Sequence, residues 1–302
     1  TANIKNEIGR STYTQMLNKA GGIETDLTVI CIKENHFRVI SSAATRTHDK
    51  AHIRKHLSPN LEFKDITDDL ACLGVFGPKS RKLMSKISND NFTNQAFKFG
   101  TGKFVNVGSK KIWAQRLSYV GELGFEIYVN NDDANEIYQL IVEEGKNHNL
   151  SHCGSHAMDT MRMESGFLHW GHDISPEENQ YEAGLNFTIS YKKETNFIGK
   201  KSLLKIKDIK QNKKFIMLSL KDSNPGHPLL LNEEPIYLND KIIGRTTSAN
   251  YSFNYNKNLS FGYVVSEHSN EELAKMNLYI EVAKKKYPAI VEINPLKDKQ
   301  AR

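Results

Sequence analysis

Alternation of polar and apolar residues marks the first clear elements. Residues 25–32 (TDLTVICI) and 36–43 (HFRVISSA) each read as a strand, and a polar turn around Glu34-Asn35 joins them. Residues 46–57 (RTHDKAHIRKHL) change period, placing Ala51, Ile53 and Leu57 near one face of a short helix. The compact apolar run 71–78 (ACLGVFGP) predicts a strand. Its Gly77-Pro78 step ends that strand and opens a helix, with Pro78 in a tolerated first-turn position. Residues 113–120 (WAQRLSYV) and 124–129 (GFEIYV) predict a strand pair across the glycine-containing turn VGELG. Asp132-Asp133 then suit the positive end of a helix in which Ala134, Ile137, Tyr138, Ile141 and Val142 recur at helical spacing, stopping near Gly145. A further helix runs from about Ser155 to Glu164 and ends before Gly166.

After about residue 205 the pattern shifts. KKFIMLSL, EPIYLND, KIIGRTTSA, LSFGYVV, NLYIEVA and YPAIVEI are short strands separated by turns, without long helices. Such spacing predicts a small closed or nearly closed β-barrel. The lysine-rich stretch KDIKQNKK is the best linker candidate, dividing the chain into 1–207 and 208–302. There is no internal repeat, no low-complexity tract and no apolar run of membrane-spanning length.

Composition narrows the classes. A chain of 302 residues exceeds one small core and suggests two or three packed units. Its 41 Lys+Arg and 35 Asp+Glu give a formal charge of +6, but the lysines are scattered among acids, with no basic stripe and no nucleic-acid motif. Cys31, Cys72 and Cys153 form no CxxC pair, which argues against structural zinc and a disulfide scaffold. The segment TANIKNEIGR has neither an initiator Met nor the layout of a signal peptide, so the chain is expected to begin inside a larger protein.

Familiar catalytic fingerprints are missing: no GxGxxG after a strand, no GxxxxGK[ST] and no GxSxG. Ser151 to His156 reads as loop and cap residues rather than a metal or thiol site. His169-Trp170-Gly171-His172-Asp173 reads as structural packing for want of a third ligand. Asp26 is more suggestive. It follows a Gly-Gly turn at the mouth of a strand, where a carboxylate can face a cleft. Glu126 also stands out, because Phe125 and Ile127 turn to one face of their strand and Glu126 to the other, with Tyr119 across the glycine turn.

These segments in order resemble a known family. GRSTYTQMLNKAGGIETDLTV, DLACLGVFGPKSRKLM, RLSYVGELGFEIYV, AMDTMRMESGFLHWGHDI and YEAGLNFTI with NFIGKKSL look like the folate-binding region of glycine-cleavage T-protein relatives. The similarity is strongest to the C-terminal half of dimethylglycine and sarcosine dehydrogenases. It continues through EPIYLNDKIIGRTTSANYSF, LSFGYVV and KKYPAIVEINPL, and so covers essentially the whole chain.

The resemblance implies an α+β, T-protein-like multidomain arrangement around a tetrahydrofolate cleft, ending in the barrel. It implies that Asp26 sits beside the reactive folate nitrogens, with Leu27 and Thr28 on the same edge. Tyr119 and Glu126 would hold the pterin, Ile127 and Tyr128 would continue that wall, and Phe187 would contact the cofactor. It also implies an FAD-bearing dehydrogenase or oxidase domain, upstream or as a partner, with no nucleic acid, membrane or metal involved. The implied activity is capture of a one-carbon unit as 5,10-methylenetetrahydrofolate in an FAD-dependent N-methylglycine dehydrogenase. The alternatives are a stand-alone aminomethyltransferase and a non-enzymatic folate-binding module. Two departures favour the dehydrogenase branch: Met158 where T-proteins carry Arg, and Ser42 where they carry Asn. Arg162 is retained, but its helical spacing equally suits a structural ion pair. A bacterial cytoplasm or a mitochondrial matrix fits such a chain.

Overall fold

The computed structural model describes residues 1–5 and 7–297. Strands β1 (Ser11–Leu17), β2 (Ile23–Lys33) and β3 (His36–Ile40) form a sheet in that order. The Glu34-Asn35 turn is present, with Asn35 at φ 56, a left-handed conformation that Asn tolerates. It sets the β2–β3 register, in which Ile30 lies opposite Arg38 and Thr28 opposite Ile40.

Helix α1 (Arg46–His56) lacks the expected apolar face. Ala51 is exposed, Ile53 and Leu57 are half-buried, and the one buried residue of the helix is Asp49. Polar contacts hold it instead. Arg46 pairs with Asp65 at 2.9 Å and Asp68 at 2.7 Å, Lys50 reaches Asp65 at 3.1 Å, and Thr45 donates to Asp49 at 2.6 Å.

Strands β4 (Leu70–Phe76), β5 (Gly102–Val107), β6 (Lys110–Gln115) and β7 (Gly124–Asn130) make an antiparallel sheet of order β4-β7-β6-β5. Helices α2 (Ser80–Ile87) and α3 (Asn131–Gly145) cover one face. There Phe125, Ile127 and Val129 join Leu83, Met84, Ile137 and Ile141 in a core. In α3, Ile137 and Ile141 point inward as their spacing predicts, whereas Tyr138 is exposed and Leu140 packs in its place. Pro78 precedes α2 rather than opening it: Ser80 N–H donates to Gly77 O, so Pro78 lies inside a tight turn.

Helix α4 (Ser155–Glu164) matches its expected bounds and is followed by α5 (Lys200–Ile206). The closed barrel contains β8 (Lys213–Leu220), β9 (Pro235–Leu238), β10 (Lys241–Ser252), β11 (Lys257–Val265), β12 (Leu278–Val282) and β13 (Lys285–Val291), with α6 (Asn270–Leu273) between β11 and β12. Its strand order is β10-β11-β8-β13-β12-β9. Ile216, Leu218, Ile236, Val264, Leu278 and Ile280 lie in its core. At Gly244, beside a register shift in β10, a Cβ would stand 1.9 Å from Tyr263 O, so glycine permits this approach of β10 to β11.

The chain divides into two compact units. Among the described residues, one contains Thr1, Gln15–Asp26 and residues 154–297, including the barrel; the other contains Ala2–Thr14 and Leu27–Cys153. Strands β1 and β2 therefore each contribute residues to both. No helix among the described residues is long and apolar enough to cross a membrane.

Candidate functional site

The second unit carries a polar and aromatic layer on the face of β7 opposite its core. Because strand residues alternate, Glu126 and Tyr128 emerge there while Phe125, Ile127 and Val129 enter the core. Across the ladder, Cys72 on β4 and Trp113 on β6 both stand opposite Tyr128. Trp113 and Tyr128 pack with Ile30, and the half-buried Ile32 and Ile40 complete this cluster. The β2–β3 hairpin thus covers the layer with the face that carries Thr28, Ile30 and Arg38. By the same alternation Asp26 points to the Thr28 side of β2. Contacts assign Asp26 to the other unit, whose segment of β2 ends there.

A short hydrogen bond sets the electrostatics of the layer: the Tyr128 hydroxyl donates to a Glu126 carboxylate oxygen at 2.5 Å. Burial pushes the Glu126 pKa upward, and the Tyr128 hydrogen bond opposes that by favouring the carboxylate. The Tyr128 phenol is held far above its usual range, by burial first and then by neighbouring Glu126. Solvent reaches Cys72, yet the surrounding protein pushes its pKa up to about 12, so the thiol stays protonated. The Arg38 guanidinium lies over the Tyr128 ring, 5.1 Å from its centroid. A half-buried carboxylate beside aromatic rings can accept paired N–H donors from a flat heterocycle.

The remaining expected site residues are distributed as follows. Thr28 is half-buried on the layer side of β2. Tyr119 is half-buried in the loop after Gln115, where β6 ends earlier than its apolar run suggests. Leu27 does not share the Asp26 edge: it is only 5% exposed and turns to the opposite face of β2. Ile127 likewise cannot continue a wall with Tyr128, because its side chain is fully buried in the α2–α3 core. Phe187 lies in the other unit, in a 3-10 turn over Asn186–Thr188, and is 76% exposed.

Other candidates acquire structural roles. Arg162 donates to Asp159 at 2.8 Å, Phe167 O at 2.9 Å, Asp173 at 2.5 Å and Ser248 at 2.7 Å, which is the ion-pair role its spacing allowed. Asp173 also accepts from His169 N, Thr247 and Ser248, tying α4 and the 167–173 loop to β10. Its carboxylate is therefore committed to packing, and His169 packs at a tilt against His172 with ring centroids 4.6 Å apart. His152 pairs with the Tyr138 hydroxyl at 2.8 Å. Among the described residues no group of three or more His, Cys, Asp or Glu could hold a metal ion. Ser42 caps a 3-10 turn by accepting from Ala44 N at 3.3 Å, and Met158 is exposed on α4. Arg38, Cys72 and Trp113 were not anticipated. For Arg38 the hairpin register was the available signal, since the Glu34-Asn35 turn puts it opposite Ile30.

Comparison with known proteins places this geometry in context. Residues 1–193 match the GCVT N-terminal domain and residues 213–298 the glycine cleavage T-protein C-terminal barrel domain. Mitochondrial dimethylglycine dehydrogenase of Homo sapiens is 32% identical over 300 residues, covering 98% of this chain but 34% of that protein. The chain thus spans about a third of the length of that dehydrogenase. An aminomethyltransferase of Halothermothrix orenii is 32% identical over 257 residues, covering 85% of this chain and 70% of that enzyme. The crystal structure of glycine cleavage system aminomethyltransferase T from Bartonella henselae superposes with a TM-score of 0.81 at 21% identity, covering 97% of this chain and 77% of that one. This chain belongs to the glycine-cleavage T-protein family, with the mixed α/β fold and closed C-terminal barrel of that family.

Proposed function

We propose that this chain is the tetrahydrofolate-binding part of an FAD-dependent N-methylglycine dehydrogenase acting on dimethylglycine or sarcosine, and that it captures the released one-carbon unit as 5,10-methylenetetrahydrofolate. The observation that carries the reading is the Glu126–Tyr128 pair on a half-buried aromatic layer, in a chain aligned over 98% of its length with a dimethylglycine dehydrogenase. In this reading residues 1–207 form the folate region and 208–302 the barrel. Flavin chemistry belongs to a domain outside this chain, and the enzyme works in a bacterial cytoplasm or a mitochondrial matrix.

The donor set fits a reduced pterin. Glu126 accepts from the ring amide and amino N–H groups, while Tyr128 holds the carboxylate from one side. Trp113 and Ile30 keep bulk water from that face. Bound tetrahydrofolate supplies the nitrogen that takes up the one-carbon unit. Asp26 accepts the proton released at that nitrogen, a general-base role suited to a carboxylate at a strand mouth. Tyr119 and Thr28 line the ligand, and the exposed Phe187 ring is, by the resemblance, a cofactor-contacting position.

Calorimetry on the full-length protein tests the binding step. Glu126→Ala should weaken tetrahydrofolate roughly 10- to 100-fold, the worth of a charge-assisted hydrogen-bond pair. Undiminished affinity in that variant, or no binding by the wild type, sinks the assignment. Asp26→Ala should retain amine oxidation and lose methylene transfer, and equal transfer would refute the proton role. Flavin-independent aminomethyl transfer by the wild type would instead favour the aminomethyltransferase reading.

A further inference from the structure

Resting on the folate reading, we infer that Arg38 is a specificity residue that recognises the 4-oxo group of the pterin ring. Arg38 stands on β3 directly opposite Ile30, on the hairpin face that packs against Trp113 and Tyr128. Its guanidinium covers the Tyr128 ring at 5.1 Å, and its Nη1 is buried with no hydrogen-bond partner among the described residues. The charged groups of the same layer do not satisfy it. Glu126 is engaged by the Tyr128 hydroxyl and forms no ion pair with Arg38 among the described residues, and Cys72 remains a neutral thiol.

A buried guanidinium N–H without an acceptor is costly, and native structures seldom leave one unmade unless a ligand completes it. The missing group must therefore be an acceptor. Glu126 contributes the opposite requirement, an acceptor that needs donors. One carboxylate and one guanidinium, placed respectively at the hydroxyl and the ring of the same tyrosine, suit a flat edge that presents donors followed by an acceptor. The amino group, the ring N–H and the 4-oxo oxygen of a pterin form that series. Arg38 thereby separates 4-oxo ligands from 4-amino analogues, in which the acceptor becomes a donor and would meet the guanidinium N–H head-on.

The test measures binding of tetrahydrofolate and 4-amino-4-deoxytetrahydrofolate to the full-length protein by calorimetry. The wild type should favour the 4-oxo ligand by roughly 10- to 100-fold, the effect of one charge-assisted hydrogen bond lost to an unpaired donor. Arg38→Met should weaken tetrahydrofolate, strengthen the 4-amino analogue by removing the facing donor, and narrow the ratio to the part set by Glu126 against the analogue's unprotonated ring nitrogen, and Arg38→Lys should restore part of it. Equal weakening of both ligands would reveal a purely structural arginine and overturn the inference, as would an unchanged ratio. If Arg38→Met fails to fold, Arg38→Lys is read by the same ratio. A wild type that binds neither ligand defeats the folate reading and this inference together, whereas one that binds tetrahydrofolate without regard to Arg38 defeats the inference alone.

Discussion

Removing the Asp173 carboxylate should destabilise the unit that holds the barrel more than most single substitutions do. Asp173 and Arg162 have side chains only 0% and 1% exposed and approach to 2.5 Å. Asp173→Ala leaves the guanidinium with Asp159, itself 33% exposed, and strips an acceptor from His169 N, Thr247 and Ser248. Breaking a buried pair by deleting one partner costs about 3–5 kcal/mol. Removing both charges, as in Arg162→Met with Asp173→Leu, should cost less than the sum of its parts by about 1–3 kcal/mol, because no ion is then stranded. Trp170 provides the probe, since its indole N–H donates to Ile23 O at 3.0 Å within the same unit. Protein labelled with 5-fluorotryptophan and unfolded in urea, followed at the Trp170 fluorine resonance, gives each variant's stability and the double-mutant cycle. A cost below about 1 kcal/mol for Asp173→Ala, or strict additivity, would refute the argument that the pair is a buried electrostatic unit.

Two further outcomes follow from the site and the barrel. Burial raises the Glu126 pKa above its ordinary 4.5, so in the ligand-free protein the native state holds that proton more tightly than the unfolded chain. Wild-type stability should therefore decline as pH rises from that ordinary range through the raised native value. The advantage of Glu126→Gln over wild type should grow across the same window, and a pH-independent difference in urea midpoints would count against it. Gly244→Ala places a methyl group 1.9 Å from Tyr263 O and should cost about 1–3 kcal/mol or more through overpacking, visible as a lower barrel melting temperature in circular dichroism.

The barrel was legible because its strands alternate and its turns are short, so local patterning and topology agree. Helices α3 and α4 were legible for the same reason, each having a local stripe and identifiable ends. Helix α1 was not: its sequence carries too few apolar residues for a stripe, and ion pairs to Asp65 and Asp68 hold it from outside its own window. At the site, resemblance carried over segments but not faces. It placed Leu27 beside Asp26 and Ile127 beside Tyr128, whereas the two-residue period of a strand turns each away. The same period, applied to the β2–β3 register, points to Arg38. The Asp173 network was beyond local reading, since Thr247 and Ser248 lie 74 and 75 residues further along the chain.

The chain passes between its two units inside strands, and this bears on synthesis. The unit built from Ala2–Thr14 and Leu27–Cys153 has all its described residues once Cys153 is made. The other unit needs Gln15–Asp26 from the start of the chain and the described residues from Gly154 to Lys297. Leu17 and Ile23 emerge early, yet their core partners Met163, Leu168 and Leu203 lie beyond Cys153. At ordinary ribosomal rates the delay from Ile23 is roughly 7–28 s to Met163 and roughly 9–36 s to Leu203, during which two apolar side chains and the backbone edges near them stand open. The polypeptide should therefore depend most on chaperones between emergence of the first hairpin and completion of α5, and a ribosome stalled near Cys153 should leave the early strands as its most protease-sensitive and aggregation-prone region.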